Sequence, residues 1–489
     1  MGIVLKQSFT NTVILFLGFF IGGINVLFLF THFLHEDYFG LITFLLSAGN
    51  ILLPLVVFGM QYTIIKYYFF YRNKEEKDTF LTATLFFPLV IIIPLAFLGT
   101  YFYEGISNWL AVENILIKKY TYLIFIVAVF MGYFEVFHSW TKIQMNTVFG
   151  NFIKELFARI CTTVLLVSVY FQWISNEEFI YLEVIIYGIR TLIMMVYAFY
   201  LYKPVFIFKL PANYKELFSF SFYIIIAGSA SGILLEIDKF MIPQMEQIAQ
   251  VAYYSVGIYI ASVIAIPTRA MQQITGPITA KDMMDDNYEE VDNLYRQSSI
   301  NLLAVGGLLF LLINLNITEI YEIINKPQFT QGIGVVLIIS VSKLTELALG
   351  TANAILVNSR YYKIFFYISI AMAITVIILN KWLIDLIGIN GAAWATLIVA
   401  IIYSIVKIGY IYSKFKIQPF TKQTSVVLLV IFMFYIAFLF WNFNVNPLVG
   451  IVIKGIIITI GYVVVIKKLN ISNEINGLNF NQLISIFKK

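Results

Sequence analysis

The chain has 489 residues, of which 60% are hydrophobic and only 12% are charged. Soluble proteins carry about a quarter charged residues, and a soluble fold of this length would need far more polar side chains on its surface. The composition therefore predicts a membrane protein and argues against a nucleic-acid-binding protein, a disordered chain and a secreted disulfide-rich scaffold. The single cysteine, Cys161, excludes an internal disulfide and a Cys-rich zinc site. With only three histidines in addition, we expect no metal site and no cofactor.

Fourteen apolar stretches are long enough to cross a bilayer, which takes about 20 mostly apolar residues. The predicted fold class is therefore an all-α polytopic membrane protein. The first stretch is too long for a signal peptide and lacks a small-residue cleavage site, so we expect it to be retained. The weakest candidates are 153–173 and 330–353, which carry charges. In chain order the predicted spans are 9–33, 38–65, 80–102, 120–138, 153–173, 179–201, 216–237, 249–268, 298–315, 330–353, 362–380, 388–410, 424–441 and 447–466.

Lysine and arginine fall mainly on one side of this arrangement. The N-terminus is placed inside the cell, and basic residues near the end of a span, such as Lys154, Lys363 and Lys407, are counted with the adjoining segment. The inner segments then hold 23 of the 32 basic residues, the outer segments 5 and the spans 4. By the positive-inside rule, this distribution predicts that both termini are cytoplasmic.

The sequence looks duplicated, with an offset of about 210 to 214 residues. A repeat of six spans, an even number, enters the membrane twice in the same orientation, and such parallel repeats are related by an axis along the membrane normal. We expect an N-terminal lobe over 1–210, a C-terminal lobe over 211–415, and two additional spans with a cytoplasmic tail over 416–489. Two such lobes would enclose a central cavity that opens alternately to each side. The matching features are Gly18-x-x-x-Gly22 with Gly228-x-x-x-Gly232, Pro54 with Pro267, the acidic loop at Glu75 with that at Glu289, Glu135 with Glu346, and Asn146 with Asn358.

Three stretches resemble a known family. Residues 33–40, Phe-Leu-His-Glu-Asp-Tyr-Phe-Gly, resemble the F-L-x-x-x-x-F-G junction between the first two spans of polysaccharide transporters of the O-antigen flippase type. Residues 238–242 and 251–255 resemble the D-[KR]-x-x-I and V-G-x-Y pattern of the second lobe, with Ala252 where glycine is usual. Residues 391–396 resemble G-A-A-x-A-T of the twelfth span. The resemblance is to the polysaccharide transporter (lipid-linked oligosaccharide flippase) family of the multidrug/oligosaccharidyl-lipid/polysaccharide exporter superfamily.

This resemblance implies a flippase of the bacterial inner membrane. It would move an undecaprenyl-diphosphate-linked oligosaccharide from the cytoplasmic to the outer leaflet, for assembly of O-antigen (lipopolysaccharide), capsule or exopolysaccharide. The expected partners are the lipid-linked oligosaccharide, membrane lipids and a polysaccharide polymerase or glycosyltransferase complex, with no nucleic acid. An ion-coupled drug or small-metabolite antiporter of the same superfamily stays open as an alternative. A membrane polysaccharide polymerase or ligase is disfavoured, because the longest outer connection, 102–120, offers few reactive groups and no nucleotide-binding loop or nucleophile motif is present.

Basic residues inside spans are candidates for substrate binding, since burying such a charge costs about 2.5 kcal/mol or more and usually requires a cavity or a partner. Arg190 lies near the middle of the sixth span, Arg159 in the fifth and Lys343 in the tenth. Arginine matches phosphate oxygens in bidentate geometry, so these residues are predicted to contact the diphosphate or a sugar acid. The alternative is that each of these cations pairs with a carboxylate and has only a structural role in helix packing. Arg269, at the inner end of the eighth span, either guides the head group or anchors the helix. Lys454 in the fourteenth span is predicted to snorkel to the outer interface.

Two carboxylates lie beside cations at the same spacing in the two repeats. Lys343 and Glu346 are three residues apart and can pair on one helix face, as can Glu135 and His138. A carboxylate in a wet cavity can exchange H⁺ or Na⁺ as the cavity switches sides, so Glu135, Glu346 and His138 are candidate coupling residues. The alternative, which we favour, is an ion pair that keeps a buried lysine charged.

A further set of residues is predicted to shape the helices. Small residues at i and i+4 allow close helix approach, prolines bend helices and matched bends could assist gating, and an Asp-Lys pair at an outer helix end can cap the helix or bridge to a loop. These residues are Gly18, Gly22, Gly228, Gly232, Pro54, Pro267, Asp238 and Lys239.

Overall fold

The chain folds as an all-α membrane protein. The computed structural model describes residues 2–441 and 445–471, and these contain helices and no strand. The segment 472–489, most of the predicted cytoplasmic tail, lies outside the described residues, and with it Lys488 and Lys489 of the predicted inner basic set. The α-helices are α1 Gly2–Ile24, α2 Phe30–Phe33, α3 Glu36–Val56, α4 Met60–Tyr67, α5 Lys74–Tyr101, α6 Tyr103–Leu110, α7 Ile115–Ile143, α8 Val148–Phe152, α9 Ala158–Tyr170, α10 Asn176–Leu201, α11 Tyr214–Met241, α12 Ala249–Ser262, α13 Ile266–Met284, α14 Tyr288–Asn314, α15 Ile317–Ile324, α16 Ile333–Ala348, α17 Ala352–Asn358, α18 Lys363–Ile387, α19 Ile389–Phe415, α20 Lys422–Leu439 and α21 Pro447–Lys468.

Among the described residues, twelve helices are long and apolar enough to cross a membrane. The bent pair Tyr214–Ala230 and Gly232–Gln244 makes a thirteenth if it is counted as one span. The predicted fifth span, 153–173, corresponds to the helical stretch from α8 through α9, whose charged residues Lys154, Glu155 and Arg159 set it apart from the twelve. The arrangement is close to the fourteen helices expected from hydropathy.

Capping residues fix where the functional helices begin. Ser175 precedes α10, and its hydroxyl accepts a hydrogen bond from the Glu178 amide at 3.2 Å. In return the Glu178 carboxylate accepts from the Ser175 amide at 2.7 Å. This capping box satisfies two backbone donors that the first turn leaves unpaired, and it sets the start of the helix that carries Arg190.

The helices are interrupted near both predicted proline bends. Pro54 lies in the last turn of α3, after which Phe58 and Gly59 take left-handed conformations, with φ of 49° and 65°, and α4 begins at Met60. Pro267 lies in the first turn of α13, directly after a 3₁₀ turn at Val263–Ala265. Proline lacks the amide that an uninterrupted helix needs, so both interruptions have a local cause. A role for these bends in gating stays a prediction.

The described helices form two compact units, Met1–Ser255 and Val256–Lys489. In the first, α7 packs against α3, α4 and α10, and α11 packs along α3. In the second, α16 packs against α14 and α19, and the last two helices, α20 and α21, pack on α14. This division concerns packing, so the duplication with lobes at 1–210 and 211–415 stays a prediction.

Two glycines of the family-like motifs lie against backbone. A Cβ on Gly40, the last residue of the first motif, would stand 2.0 Å from the carbonyl oxygen of Ile248. A Cβ on Gly391, the first residue of the third motif, would stand 2.0 Å from the carbonyl oxygen of Leu383. Because carbon cannot approach oxygen this closely, only glycine fits at these two positions.

Candidate functional site

The first unit contains a group of ionisable residues, which we call the charged cluster. Its His138, Glu183 and Arg190 are buried, whereas the side chain of Lys154 is 41% exposed. It is carried by α7, the helical stretch of α8 and α9, and α10, which pack side by side. Its members are Glu135 and His138 on α7, Lys154, Glu155 and Arg159 on the second stretch, and Glu183 and Arg190 on α10.

Two π-helical turns position one side of the charged cluster. The turn Ile153–Phe157 carries Lys154 and Glu155 and packs against α1, whereas the turn Asn25–Leu29 of the first span packs against α9. The Asn25 amide donates to the Arg159 carbonyl at 2.9 Å, and its oxygen accepts from Thr163 at 2.8 Å. Each π turn frees backbone groups from the regular ladder, and such turns occur often at functional sites.

Arg190 is buried without an acidic partner among the described residues. It is 7% exposed, and its guanidinium stacks on the rings of Tyr187 and Phe134, with its central carbon 4.2 Å and 4.7 Å from the ring centroids. Its Nε makes no hydrogen bond within the described part of the chain. The two rings hold the guanidinium in one plane, so its donors are presented in a fixed direction.

Glu135 pairs with a lysine. Its carboxylate accepts from Lys154 Nζ at 2.6 Å, and His138 Nδ1 lies 3.9 Å away. The His138 ring is 1% exposed, and neither of its nitrogens has a hydrogen-bond partner among the described residues. The arrangement favours an ion pair for Glu135, while coupling to H⁺ or Na⁺ through these residues stays a proposal.

The remaining predicted cations differ in environment. Arg159 pairs with Glu155 one turn earlier, at 3.3 Å, and its side chain is 32% exposed. In the second unit Lys343 pairs with Glu346 at 3.0 Å, in the expected i,i+3 geometry. Arg269 is exposed in the first turn of α13. Arg159 and Lys343 therefore each hold a carboxylate, although Nη1 of Arg159 has no hydrogen-bond partner among the described residues. Arg190 forms no ion pair there.

Three charged residues escaped the sequence analysis. Glu183 is 3% exposed; one of its oxygens accepts from the Thr162 hydroxyl at 2.8 Å and the other has no partner among the described residues. Lys154 and Lys407 were assigned to inner segments, but Lys154 pairs with Glu135 and Lys407 is 8% exposed, donating to Asn353 at 3.1 Å. Glu183 was detectable, because it lies within the predicted span 179–201, in which the sequence analysis singled out only Arg190.

The predicted packing residues lie at helix contacts. A Cβ on Gly18 would stand 2.8 Å from the Glu155 carbonyl oxygen, and Gly22 is buried one turn on. Gly228 and Gly232 face α3 with more room: Cβ positions there would lie 3.8 Å from Pro54 and 3.6 Å from the Asn50 carbonyl oxygen.

The Asp-Lys pair at the end of α11 bridges to neighbouring residues. Asp238 accepts a hydrogen bond from the Tyr254 hydroxyl on α12, and Lys239 forms an ion pair with Glu236 one turn earlier. A loop at the same end is held by Asn114, whose side chain donates to the Pro243 and Glu246 carbonyls at 2.5 Å and 2.8 Å.

The expectation that Lys454 snorkels is wrong. Its side chain is 2% exposed, and its ammonium group forms an ion pair with Glu319 of α15 and donates to the Leu315 carbonyl at 3.2 Å. A partner within the protein removes the need to reach the interface. Hydropathy alone could not locate a carboxylate so far away in sequence.

No group of three His, Cys, Asp or Glu side chains in the described ranges is placed to hold a metal ion. Within the described residues, the charged cluster combines two ion pairs, Lys154–Glu135 and Arg159–Glu155, with a guanidinium and a carboxylate, those of Arg190 and Glu183, that form no ion pair.

Comparison with solved structures identifies the fold. The chain is similar to the lipid II flippase MurJ in an inward-closed conformation, with a TM-score of 0.68, 15% sequence identity, and coverage of 96% of this chain and 100% of that chain. It is also similar to the MATE multidrug transporter DinF-BH, with a TM-score of 0.55, 12% identity and coverage of 84% and 95%. A further neighbour is an inward-facing multidrug resistance MATE transporter of the MOP superfamily, with a TM-score of 0.55, 13% identity and coverage of 84% and 94%. No protein-family model and no curated protein matches the chain. At these identities the similarity shows the fold alone, which is the multi-pass membrane fold shared by MurJ and the MATE transporters.

Proposed function

We propose that the protein is a flippase for an undecaprenyl-diphosphate-linked oligosaccharide. It would carry this lipid from the cytoplasmic to the outer leaflet of a bacterial inner membrane, with both termini cytoplasmic, for O-antigen, capsule or exopolysaccharide assembly. Alternating access would involve the lobes 1–210 and 211–415. The observation that carries the proposal is Arg190, a buried guanidinium that stacks on two rings and has no carboxylate partner among the described residues.

A diphosphate is the ligand that this arrangement suits. A buried cation without a counter-ion is costly, and a phosphate that accepts two parallel N–H bonds from a guanidinium offsets that cost. The carboxylates of Glu135, Glu155 and Glu183 act on Arg190 only at longer range, so no direct ion pair has to break before its guanidinium contacts an incoming phosphate. The similarity to the lipid II flippase MurJ, over 96% of this chain and 100% of that chain, supports a lipid-linked substrate.

The other candidate cations, Arg159 and Lys343, would contact the diphosphate after it has bound to Arg190. Arg159 and Lys343 are each held by a carboxylate within one helical turn. A diphosphate that displaced Glu155 or Glu346 would leave that carboxylate free to take up H⁺ or Na⁺. Such an exchange would couple transport to an ion gradient, with Glu135, Glu346 and His138 as the proposed coupling residues.

The direct test uses the purified chain in proteoliposomes. A polyprenyl-diphosphate oligosaccharide with a fluorescent label on its sugar is placed in both leaflets. A membrane-impermeant reagent destroys the label only on the outer surface of the vesicles. The rate at which the remaining fluorescence is lost then gives the rate at which inner-leaflet lipid reaches the outer leaflet. We expect flipping above that of protein-free vesicles, and no flipping of a lipid whose diphosphate is replaced by a neutral linker. Flipping rates equal to those of empty vesicles would refute the proposal.

The alternative is an ion-coupled drug or small-molecule antiporter, which the similarity to the two MATE transporters favours. Dye efflux from the same vesicles, driven by an imposed pH or Na⁺ gradient, distinguishes the two functions. Gradient-driven dye efflux without lipid flipping would support the antiporter. If Glu135→Gln and Glu346→Gln left the transport rate unchanged over a range of pH and Na⁺, ion coupling through these residues would be excluded.

A further inference from the structure

The first unit contains a cavity with a cationic rim, separate from the charged cluster. It has a volume of about 280 Å³ and lies between α5, the start of α11 and the connection 202–213. Its apolar wall includes Met60, Phe87, Leu217 and Phe218. Lys209 lies at its edge.

The connection is an extended strap, held at three points. Tyr202 donates to Asp78 on α5 at 2.8 Å, and the Ile207 amide donates to the Thr82 hydroxyl at 3.2 Å. At the far end, Tyr71 donates to Asn213. Burial raises the pKa of Tyr71 to about 12, so its phenol stays protonated and able to donate. The strap is thus fixed against α5 and keeps the cavity open beneath it.

The outer face of the strap is amphipathic. Phe208 and Leu210 are 76% and 67% exposed, whereas Lys203 and Lys209 between and beside them are exposed and form no ion pair among the described residues. Lys215, the second residue of α11, is exposed in the same way. Aromatic and basic residues mixed in this manner are typical of the layer of lipid head groups.

The nearby carboxylates do not neutralise these lysines. Asp78 is occupied by Tyr202, and Glu216 accepts from the Tyr67 hydroxyl at 3.0 Å. Three other cavities of the described chain have no charged residue in their lining. One lies between α14 and α21, one between α8 and α10, and one between α5, α7, α10 and the strap, beside the proposed cavity. An apolar cavity with a basic rim is therefore a feature of this place and not of every groove that faces lipid.

We propose that this cavity binds one anionic glycerophospholipid of the cytoplasmic leaflet, with an acyl chain inserted beneath the strap and the phosphate at Lys209, Lys203 and Lys215. The site is independent of the transported substrate. Its location on the cytoplasmic side follows from the excess of basic residues in the predicted inner segments.

The test measures lipid retention by native mass spectrometry on the full chain, extracted from nanodiscs with equal amounts of phosphatidylglycerol and phosphatidylcholine. We expect one tightly retained phosphatidylglycerol per protein. Lys209→Gln should weaken its apparent affinity about fivefold, the factor that corresponds to one lysine near an anionic surface. Lys363→Gln, at an exposed lysine away from the cavity, is the matched control and should leave retention unchanged.

A second pair of variants tests the acyl-chain position without changing charge. Ala83→Phe fills the cavity from α5 and should abolish the retained lipid, whereas Ala96→Phe on the same helix lies outside the cavity lining and should not. Equal retention of the two phospholipids, or equal retention by the Ala83 variant and the unaltered chain, would overturn the proposal. Displacement of phosphatidylglycerol by stoichiometric polyprenyl diphosphate would also overturn it, because the cavity would then belong to the substrate path.

Discussion

Replacement of Arg190 by methionine separates a binding role from a packing role. The variant loses the stacking on Tyr187 and Phe134, worth about 0.5–2 kcal/mol. It also removes a buried charge that has no acidic partner within the described residues. The desolvation cost that is avoided should offset the stacking energy that is lost. We therefore expect the thermal unfolding temperature of Arg190→Met to stay close to that of the unaltered chain. A guanidinium that belonged to a buried ion pair would instead cost about 3–5 kcal/mol on removal.

The same replacement should strongly reduce transport. A bidentate contact between arginine and phosphate contains two charge-assisted hydrogen bonds of about 1.5–3 kcal/mol each. Loss of about 3 kcal/mol lowers the efficiency of flipping roughly 150-fold. Arg190→Lys keeps the charge but not the planar fork, so its transport should be intermediate.

Flipping in proteoliposomes and thermal unfolding in detergent are measured on the same preparations. Arg296→Gln is the control, since Arg296 is 41% exposed, pairs with Asp292 at 2.8 Å and should contribute little to either measurement. Normal flipping by Arg190→Met at normal protein levels would refute the binding role. A decrease of several kcal/mol in the free energy of unfolding of that variant would indicate that Arg190 stabilises the packing of the helices.

Three further predictions concern stability. Glu319→Ala should lower the free energy of unfolding by about 3–5 kcal/mol, because it leaves the buried ammonium group of Lys454 without a partner. Combining it with Lys454→Met should restore most of the thermal stability, and a double variant no more stable than the single variant would contradict a stabilising ion pair. Gly40→Ala should lower the free energy of unfolding by about 1–3 kcal/mol through overpacking, seen as a lower melting temperature. The control Gly99→Ala, with open space around its Cβ position, should be neutral or raise stability by up to about 1 kcal/mol. Similar losses of stability in both variants would show that lack of space at Gly40 is not the cause. Asn114→Ala should free the loop 243–248 at a cost of about 1–3 kcal/mol, seen as faster amide hydrogen exchange there, and unchanged exchange would exclude a holding role.

The sequence was sufficient to predict the helical membrane fold, because hydropathy over windows of about 20 residues reports directly on bilayer crossing. It also indicated Arg190 as a candidate site residue, since an arginine near the middle of a span usually faces a cavity or a partner and not lipid. Its stacking on Phe134 was not predictable, because the register between α7 and α10 is set by packing and not by any local pattern.

The partners of charged residues were the least predictable part of the site. The pairs Lys343–Glu346 and Glu135–His138 share one helix, so their spacing could be recognised. Lys154 and its partner are on different helices, and a π turn re-aims the lysine toward α7. Local sequence carries no clear signal for such a turn.

The buried Lys454–Glu319 pair has a consequence for how the protein enters the membrane during synthesis. A lysine within a membrane helix opposes insertion by up to about 2.5–3.5 kcal/mol, the cost at the helix centre. The helix that carries Lys454, α21, is made after α15, which carries Glu319. Its acidic partner lies 135 residues earlier and has therefore left the ribosome well before it. Helix α21 can therefore insert by docking onto helices that are already in the bilayer, so packing of this part of the second unit would depend on the order in which its segments are translated.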